Sequence, residues 1–405
     1  MKHLIIVSAP MFVSGIVMIV LLLDLLQHPS RTLRALVVFM GVATLLYMAH
    51  CVYFLHETPL IPFTDTIYST ANPMVFPLYY IYIKCLTDYQ VRKKDITLLT
   101  IPSIVCGLAV GIIYLMMNEQ QLASFIDGYL YKRALTGASG VVGAQIAAHQ
   151  AVKILFGLEI IPILWLGLQR IRNFDKLLVQ NYSSADDMKL TWVKVVLLVF
   201  VSACLISFTI NIIGRHRFAD NLDLLAIPSV FFSLLIFTIG YVGMKQKGIE
   251  ELDKLLEVQE ETSKTVALNQ VNPRGGALSG MTSVGEIDVA DDTKITSLRQ
   301  RIEALMSEKK LYLQPQLKLN DLVRALSSNR NYVYQVINVD MGMSFSEYVN
   351  RLRIEHAKQL MKFNPTLSFA DIAIKSGFSS SVSFYRNFRL YVGCSPQEYR
   401  SGKTL

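Results

Sequence analysis

Apolar residues fill most of the first 245 positions in runs of about twenty, whereas after residue 293 they recur every third or fourth position between charges. The two patterns call for different surroundings. A hydrocarbon layer about 30 Å thick is crossed by roughly 20 helical residues. Seven stretches qualify: Leu4 to Leu26, Ala35 to Leu55, Ile67 to Leu86, Ile96 to Met117, Val152 to Leu168, Trp192 to Ile213 and Leu222 to Met244. The first run is long and no small-residue cleavage motif follows it, so it is expected to stay as a span and not to leave as a signal peptide. Prolines 73, 77, 102, 162 and 228 fall inside the spans. Such breaks hold in lipid only where neighbouring helices or waters satisfy the freed carbonyls, which predicts a packed bundle.

Beyond Lys247, Ile249, Leu252, Leu256 and Gln259 recur at heptad-like spacing, a short seam that could dimerise or lie as a solvated helix. The Gly-, Ser- and Asp-rich stretch NQVNPRGGALSGMTSVGEIDVADD has no period and reads as a flexible tether. Helical periodicity returns with Ile295, Leu298, Ile302 and Leu305 on one face. KLNDLVRALSSNRNYVYQVIN then predicts a helix with Asn320 as N-cap, a turn at Ser327 to Asn329, and a second helix with Val333, Val336 and Ile337 inward. A longer helix follows from about Phe345 to Phe363, with Ser344 and Glu347 as a capping box. The motif repeats in FADIAIKS, with Gly377 as a left-handed stop and Ser381 to Leu390 as the last helix, Phe384 and Phe388 inward and Arg386 outward. Two such motifs on one rod can enter successive major grooves, which recur every 34 Å or so along one face of DNA.

Composition and charge sharpen this division. The chain is 52% hydrophobic and 17% charged, too apolar for an ordinary soluble protein. Its net charge of +8 is concentrated: after residue 293, 17 Lys and Arg face 8 Asp and Glu, so the tail carries +9 and the rest nearly nothing. A compact basic domain seeks a polyanion. With the N-terminus outside, the inner loops and their edges hold twelve basic residues against five outside, which puts the C-terminus in the cytoplasm. The five cysteines are dispersed, with neither a disulfide framework nor metal-ligand spacing, and His50 and His56 do not share a helix face. No phosphate loop, nucleophile elbow or carboxylate pair suggests an enzyme, and no cofactor or metal is called for. Ionisable residues inside spans are functional candidates. Glu159, about one turn before Pro162, leads them, with His50 and Asp24 nearer the interfaces as further signal-sensing candidates and a bundle-packing role as the plainer reading.

In the tail, Ile372, Ala373, Gly377, Phe378, Phe384, Arg386, Phe388, Gly393, Ser395, Pro396, Tyr399 and Arg400 form the sequence IA, GF, F-x-R-x-F, G-x-S-P and YR. Together with LNDLVRALSSNRNYVYQVIN, SFSEYVN and RIEHAKQLM, this resembles the AraC/XylS family of transcription regulators over residues 310 to 401, roughly a quarter of the chain. The N-terminal part is instead similar to the multi-span sensor halves of some membrane-bound relatives. The resemblance implies that Arg330, Asn331, Tyr334 and Gln335 of a first reading helix, and Ser381, Val382, Ser383 and Arg386 of a second, face DNA. Arg386 suits guanine, Asn331 or Gln335 adenine, and Val382 a thymine methyl; the plainer reading is that several meet only phosphate or solvent.

The expected fold class is all-α. A seven-helix transmembrane domain (1–246) is followed by a helical connector and flexible linker (247–293) and a double helix-turn-helix DNA-binding domain (294–405). The expected protein is a regulator in the inner membrane whose cytoplasmic tail binds double-stranded promoter DNA as a homodimer, while the bundle meets lipid and an unidentified ligand. Two rival readings are a transporter coupled through Glu159 with a regulatory tail, and a passive anchor from which proteolysis releases the tail.

Overall fold

The computed structural model describes residues 2–87, 91–132, 138–213, 222–245 and 288–402. Of the connector and tether expected over residues 247–293, positions up to 287 and the side chain of Ile295 lie outside the described residues, whereas the tether's last residues, expected to be without structure, already belong to the helix Asp288–Lys309. Among those described, every element longer than an isolated bridge is helical. The chain divides into two compact units, Met1–Ile171 with Thr191–Ser263, and Arg172–Leu190 with Lys264–Leu405.

The first unit is built from Lys2–Gln27, Arg31–Phe54, Ile61–Thr87, Lys93–Leu115, the first part of the long helix Gly140–Asn181, Thr191–Ile213 and Ala226–Lys245. Six of these are long and apolar enough to cross a membrane. The exception, Ile61–Thr87, buries 19 of its 27 residues, among them Thr64, Asp65, Ser69 and Asn72. Packed among other helices, it buries polar groups that a lipid-facing helix would not tolerate. Gly107 lets Lys93–Leu115 approach it closely, since a Cβ there would lie 1.7 Å from Thr70 Oγ1.

The outward faces are apolar: Phe12, Leu98, Leu108, Ile161, Trp165 and Ile227 are all more than half exposed. Prolines 73, 77, 102 and 162 lie inside helices, joined by Pro10. Pro228 also falls inside an apolar span, Asp223–Met244. It is the third residue of Ala226–Lys245, in the first turn, where its missing N–H would have had no intrahelical partner.

The second unit has two hydrophobic cores strung on the rod helix Phe345–Phe363. Phe345, Tyr348 and Val349 of the rod join Leu322, Val333, Val336 and Ile337 in the first core. One turn further on, Ile354, Ala357 and Met361 join Ile372, Phe378, Phe384 and Phe388 in the second. Leu298, Ile302 and Met306 of Asp288–Lys309 close the first core from outside.

Local signals set most boundaries. Ser344 caps the rod by accepting the Glu347 N–H at 3.2 Å. The expected reciprocal bond from Glu347 is replaced by an ion pair with Arg351 at 2.7 Å. The helix Leu319–Leu326 begins before Asn320, which is therefore not its cap; Asp321 reaches back instead and accepts the Lys318 N–H at 3.0 Å.

Candidate nucleic-acid interface

Each half of the second unit carries two short helices joined by a turn. In the first half, Leu319–Leu326 stops at Ser327, whose φ of 46° is left-handed, and the reading helix Arg330–Gln335 follows under an Asn329 cap. A wide turn, Val336–Asp340, completes it. In the second half, Phe369–Lys375 stops before Gly377 (φ +83°), and the reading helix Ser381–Val392 is capped by Ser380. Gly377 also faces a close approach: a Cβ there would lie 2.7 Å from Leu313 Cα and the Tyr312 carbonyl oxygen.

That Tyr312–Leu313 turn is gripped by Arg353, the largest fully buried side chain of the rod at 1% exposed. Its guanidinium donates to the carbonyls of Tyr312 at 2.7 Å, Gln314 at 2.6 Å and Pro315 at 3.3 Å, and lies 5.6 Å from the Phe378 ring. A buried cation is tolerable when carbonyl dipoles surround it. Arg353 thereby fixes the spacing of the two halves, a role that nothing in its sequence surroundings announces.

The expected reading residues separate into three groups. Asn331, Gln335, Ser381, Val382 and Arg386 are exposed on their helices. Ser383 is not among them: at 3% exposed it faces the core, where its N–H donates to Ser380 and its carbonyl accepts from Asn387. A position two residues into a helix and one before Phe384 turns inward with that ring. Arg330 and Tyr334 form the third group. They are half-buried, Arg330 donating to the Asn181 side-chain oxygen and Tyr334 accepting from Gln180 Nε2 at 3.2 Å. Loss of solvent pushes the Arg330 pKa down, against an opposing pull from Tyr334.

In the first unit the signal-sensing candidates do not converge. Asp24 pairs with His28 at 3.0 Å, whereas Glu159 is partly buried with one carboxylate oxygen lacking a partner. His50 alone lines a cavity of about 150 Å³, together with Tyr47, Asn72, Phe156, Phe200 and Ser229. A further polar cluster escaped the sequence reading. Buried Asp65 accepts from Tyr114 Oη at 2.8 Å and bonds His149 Nε2 at 2.6 Å, while His149 Nδ1 meets the Gln145 carbonyl at 2.8 Å. Asp65 falls just before the expected start of its span, and the true helix start at Ile61 is what encloses it.

Residues 322–402 match a family described as a helix-turn-helix domain, here of the AraC type. The chain is 34% identical over 84 residues to the Msm operon regulatory protein of Streptococcus mutans, covering 21% of this chain and 30% of that protein. It is 37% identical over 84 residues to the Melibiose operon regulatory protein of Escherichia coli, covering 21% and 28%. An uncharacterized HTH-type transcriptional regulator of Staphylococcus aureus is 27% identical over 115 residues, covering 28% and 14%. The chain thus spans less than a third of the length of these relatives. No solved structure matches the chain.

Proposed function

We propose that this chain is a membrane-bound one-component transcription regulator whose bundle responds to a ligand and whose tail binds promoter DNA in the cytoplasm. The observation that carries the reading is the exposed stripe of Ser381, Val382 and Arg386 on the second reading helix of a basic helix-turn-helix domain, with Asn331 and Gln335 open on the first. Guanidinium and amide side chains at such positions can form bidentate bonds with purine edges. The similar proteins named as operon regulators support the same assignment.

Lipid is the natural environment of the first unit. Apolar faces this large are not left to water, and the excess of basic residues on loops of one side favours the C-terminus inside. The cavity favours a sensor over a simple anchor. At about 150 Å³ it suits a molecule near the size of a single aromatic ring. Its largely apolar and aromatic walls, with His50, Asn72, Ser207 and Ser229 as the polar minority, fit a neutral lipid-soluble compound bearing one or two hydrogen-bonding groups. We further read the DNA-bound form as a homodimer, because operator half-sites commonly mirror a protein two-fold axis.

Mapping the tagged full-length protein across the chromosome of its host tests the reading. Sharp occupancy at a few promoters is expected, together with a reporter fused after Leu405 that is active only in the cytoplasm. Occupancy without discrete sites, or a reporter reachable from outside the cell, would refute it.

A further inference from the structure

The rod carries a buried polar stripe that its two hydrophobic cores do not explain. Ser346, Asn350 and Arg353 recur at helical spacing and are 5%, 2% and 1% exposed. All three bond one residue that lies far away in sequence, Ser183. Its carbonyl accepts from Ser346 Oγ and from Asn350 Nδ2, both at 3.2 Å, and its hydroxyl accepts from Arg353 Nη2 at 3.1 Å. The Ser183 N–H donates to the Leu317 carbonyl at 3.0 Å, and Tyr182 forms an antiparallel bridge with Lys318. Ser183 is itself 1% exposed. The stripe is a notch for this turn.

Around the notch, the flanking residues of the same turn reach both halves of the domain. Upstream, Asn181 and Gln180 engage Arg330 and Tyr334, which lie one helical turn apart on the first reading helix. Downstream, Asp186 Oδ2 accepts from Asn387 Nδ2 of the second reading helix at 3.3 Å. The first residues of a recognition helix are the ones that meet base edges, and a major groove about 12 Å wide admits one helix. The end of a second helix against Arg330 and Tyr334 fills the space that DNA would need.

We propose that residues 180–186 are a built-in competitor of DNA: docked in the Ser346–Asn350–Arg353 notch, they mask the first reading helix, and their release lets that half enter the groove. This inference rests on the DNA-binding reading above and adds its regulation. The second half, with Arg386 and Val382 open, can hold DNA loosely in the masked state; the first completes the grip when unmasked.

The test uses the full chain in lipid nanodiscs with its native cysteines replaced and the pair S183C and S346C introduced, neither position being a reading residue. Affinity for a labelled random-sequence 25-base-pair duplex is measured at low salt before and after reduction of the disulfide. The crosslink should form readily, and the oxidised protein should bind about tenfold more weakly than the reduced. A second variant, Gln180→Ala with Asn181→Ala, should bind several-fold more tightly than the parent, with a steeper salt dependence as Arg330 regains phosphate. Equal affinity in both redox states overturns the docking, as does an unchanged affinity and salt dependence in the Gln180→Ala and Asn181→Ala variant. Absence of DNA binding in both states instead removes the DNA-binding reading and the competitor with it.

Discussion

The two halves of the DNA-binding domain share one sequence grammar and differ in almost everything that follows from it. The first turns on Ser327 and packs mainly aliphatic residues around Phe345 and Tyr348 of the rod, and its reading helix is met by Gln180 and Asn181. The second turns on Gly377 and packs phenylalanines, and leaves Val382 and Arg386 open. A repeated motif therefore does not imply a repeated role. At Gly377 a left-handed φ coincides with the Tyr312–Leu313 turn, which a Cβ would strike, whereas Ser327 holds a left-handed φ with its Cβ in place.

The sharpest way to break this comparison is to remove what joins the halves. Arg353→Met should cost about 2–3 kcal/mol, because the buried Tyr312 carbonyl loses its donor at roughly 1–3 kcal/mol and the part-buried Gln314 and Pro315 carbonyls lose less. Hydrogen exchange on the full chain should show faster exchange in the second core than in the first; uniform protection at the wild-type level would show that Arg353 does not couple them.

Gly377→Ala comes next, at about 2–4 kcal/mol, from left-handed strain plus overpacking against backbone that cannot yield. Ser327→Gly should change stability by less than about 0.5 kcal/mol, since relieved strain and added unfolded-state freedom offset each other. Matched losses at the two turns, read as shifts in thermal unfolding, would erase the distinction between them.

On the reading face, Arg386→Ala should weaken binding to a mapped site by about 1–3 kcal/mol and relax preference at one base pair. Arg330→Ala in the same full-length protein should cost less, because its guanidinium is already held by Asn181. Titration against single-base variants of the site distinguishes the two, and an equal loss at both positions would mean that the halves read DNA alike.

Much of this architecture was legible in the sequence, and its failures have physical causes. Phe345–Phe363, the inward Phe384 and Phe388, and the left-handed Gly377 follow from spacing and caps, which are local. Ser383 was misread because adjacency to the reading residues says less than its angular position on the helix. The polar stripe of the rod could not be read at all. Ser346, Asn350 and Arg353 look like an ordinary solvated face until Ser183, more than 160 residues away, is brought against them. The central helix Ile61–Thr87 follows the same logic, its polar residues being explained by neighbours remote in sequence.

The smallest expected effect is a pH dependence that also separates the halves. His356, on the rod beside Tyr312 with ring centroids 6.0 Å apart, has its pKa lowered by burial and then by Lys310. A base with a lowered folded pKa is protonated first in the unfolded chain. Stability should therefore fall as pH drops below the ordinary histidine value of about 6.5 toward the lowered one. In the second half, Glu398 has its pKa lowered by hydrogen bonds from the Ser395 N–H and hydroxyl. Its contribution is complete above the ordinary carboxylate value of about 4.3 and is lost only as pH falls through the lowered folded value. His356→Gln should flatten the near-neutral limb of an unfolding-versus-pH curve and leave the acid limb, while Glu398→Gln should do the reverse. One shared limb, altered alike by both substitutions, would mean that the two halves unfold as a single unit and that their separate cores have no separate stability.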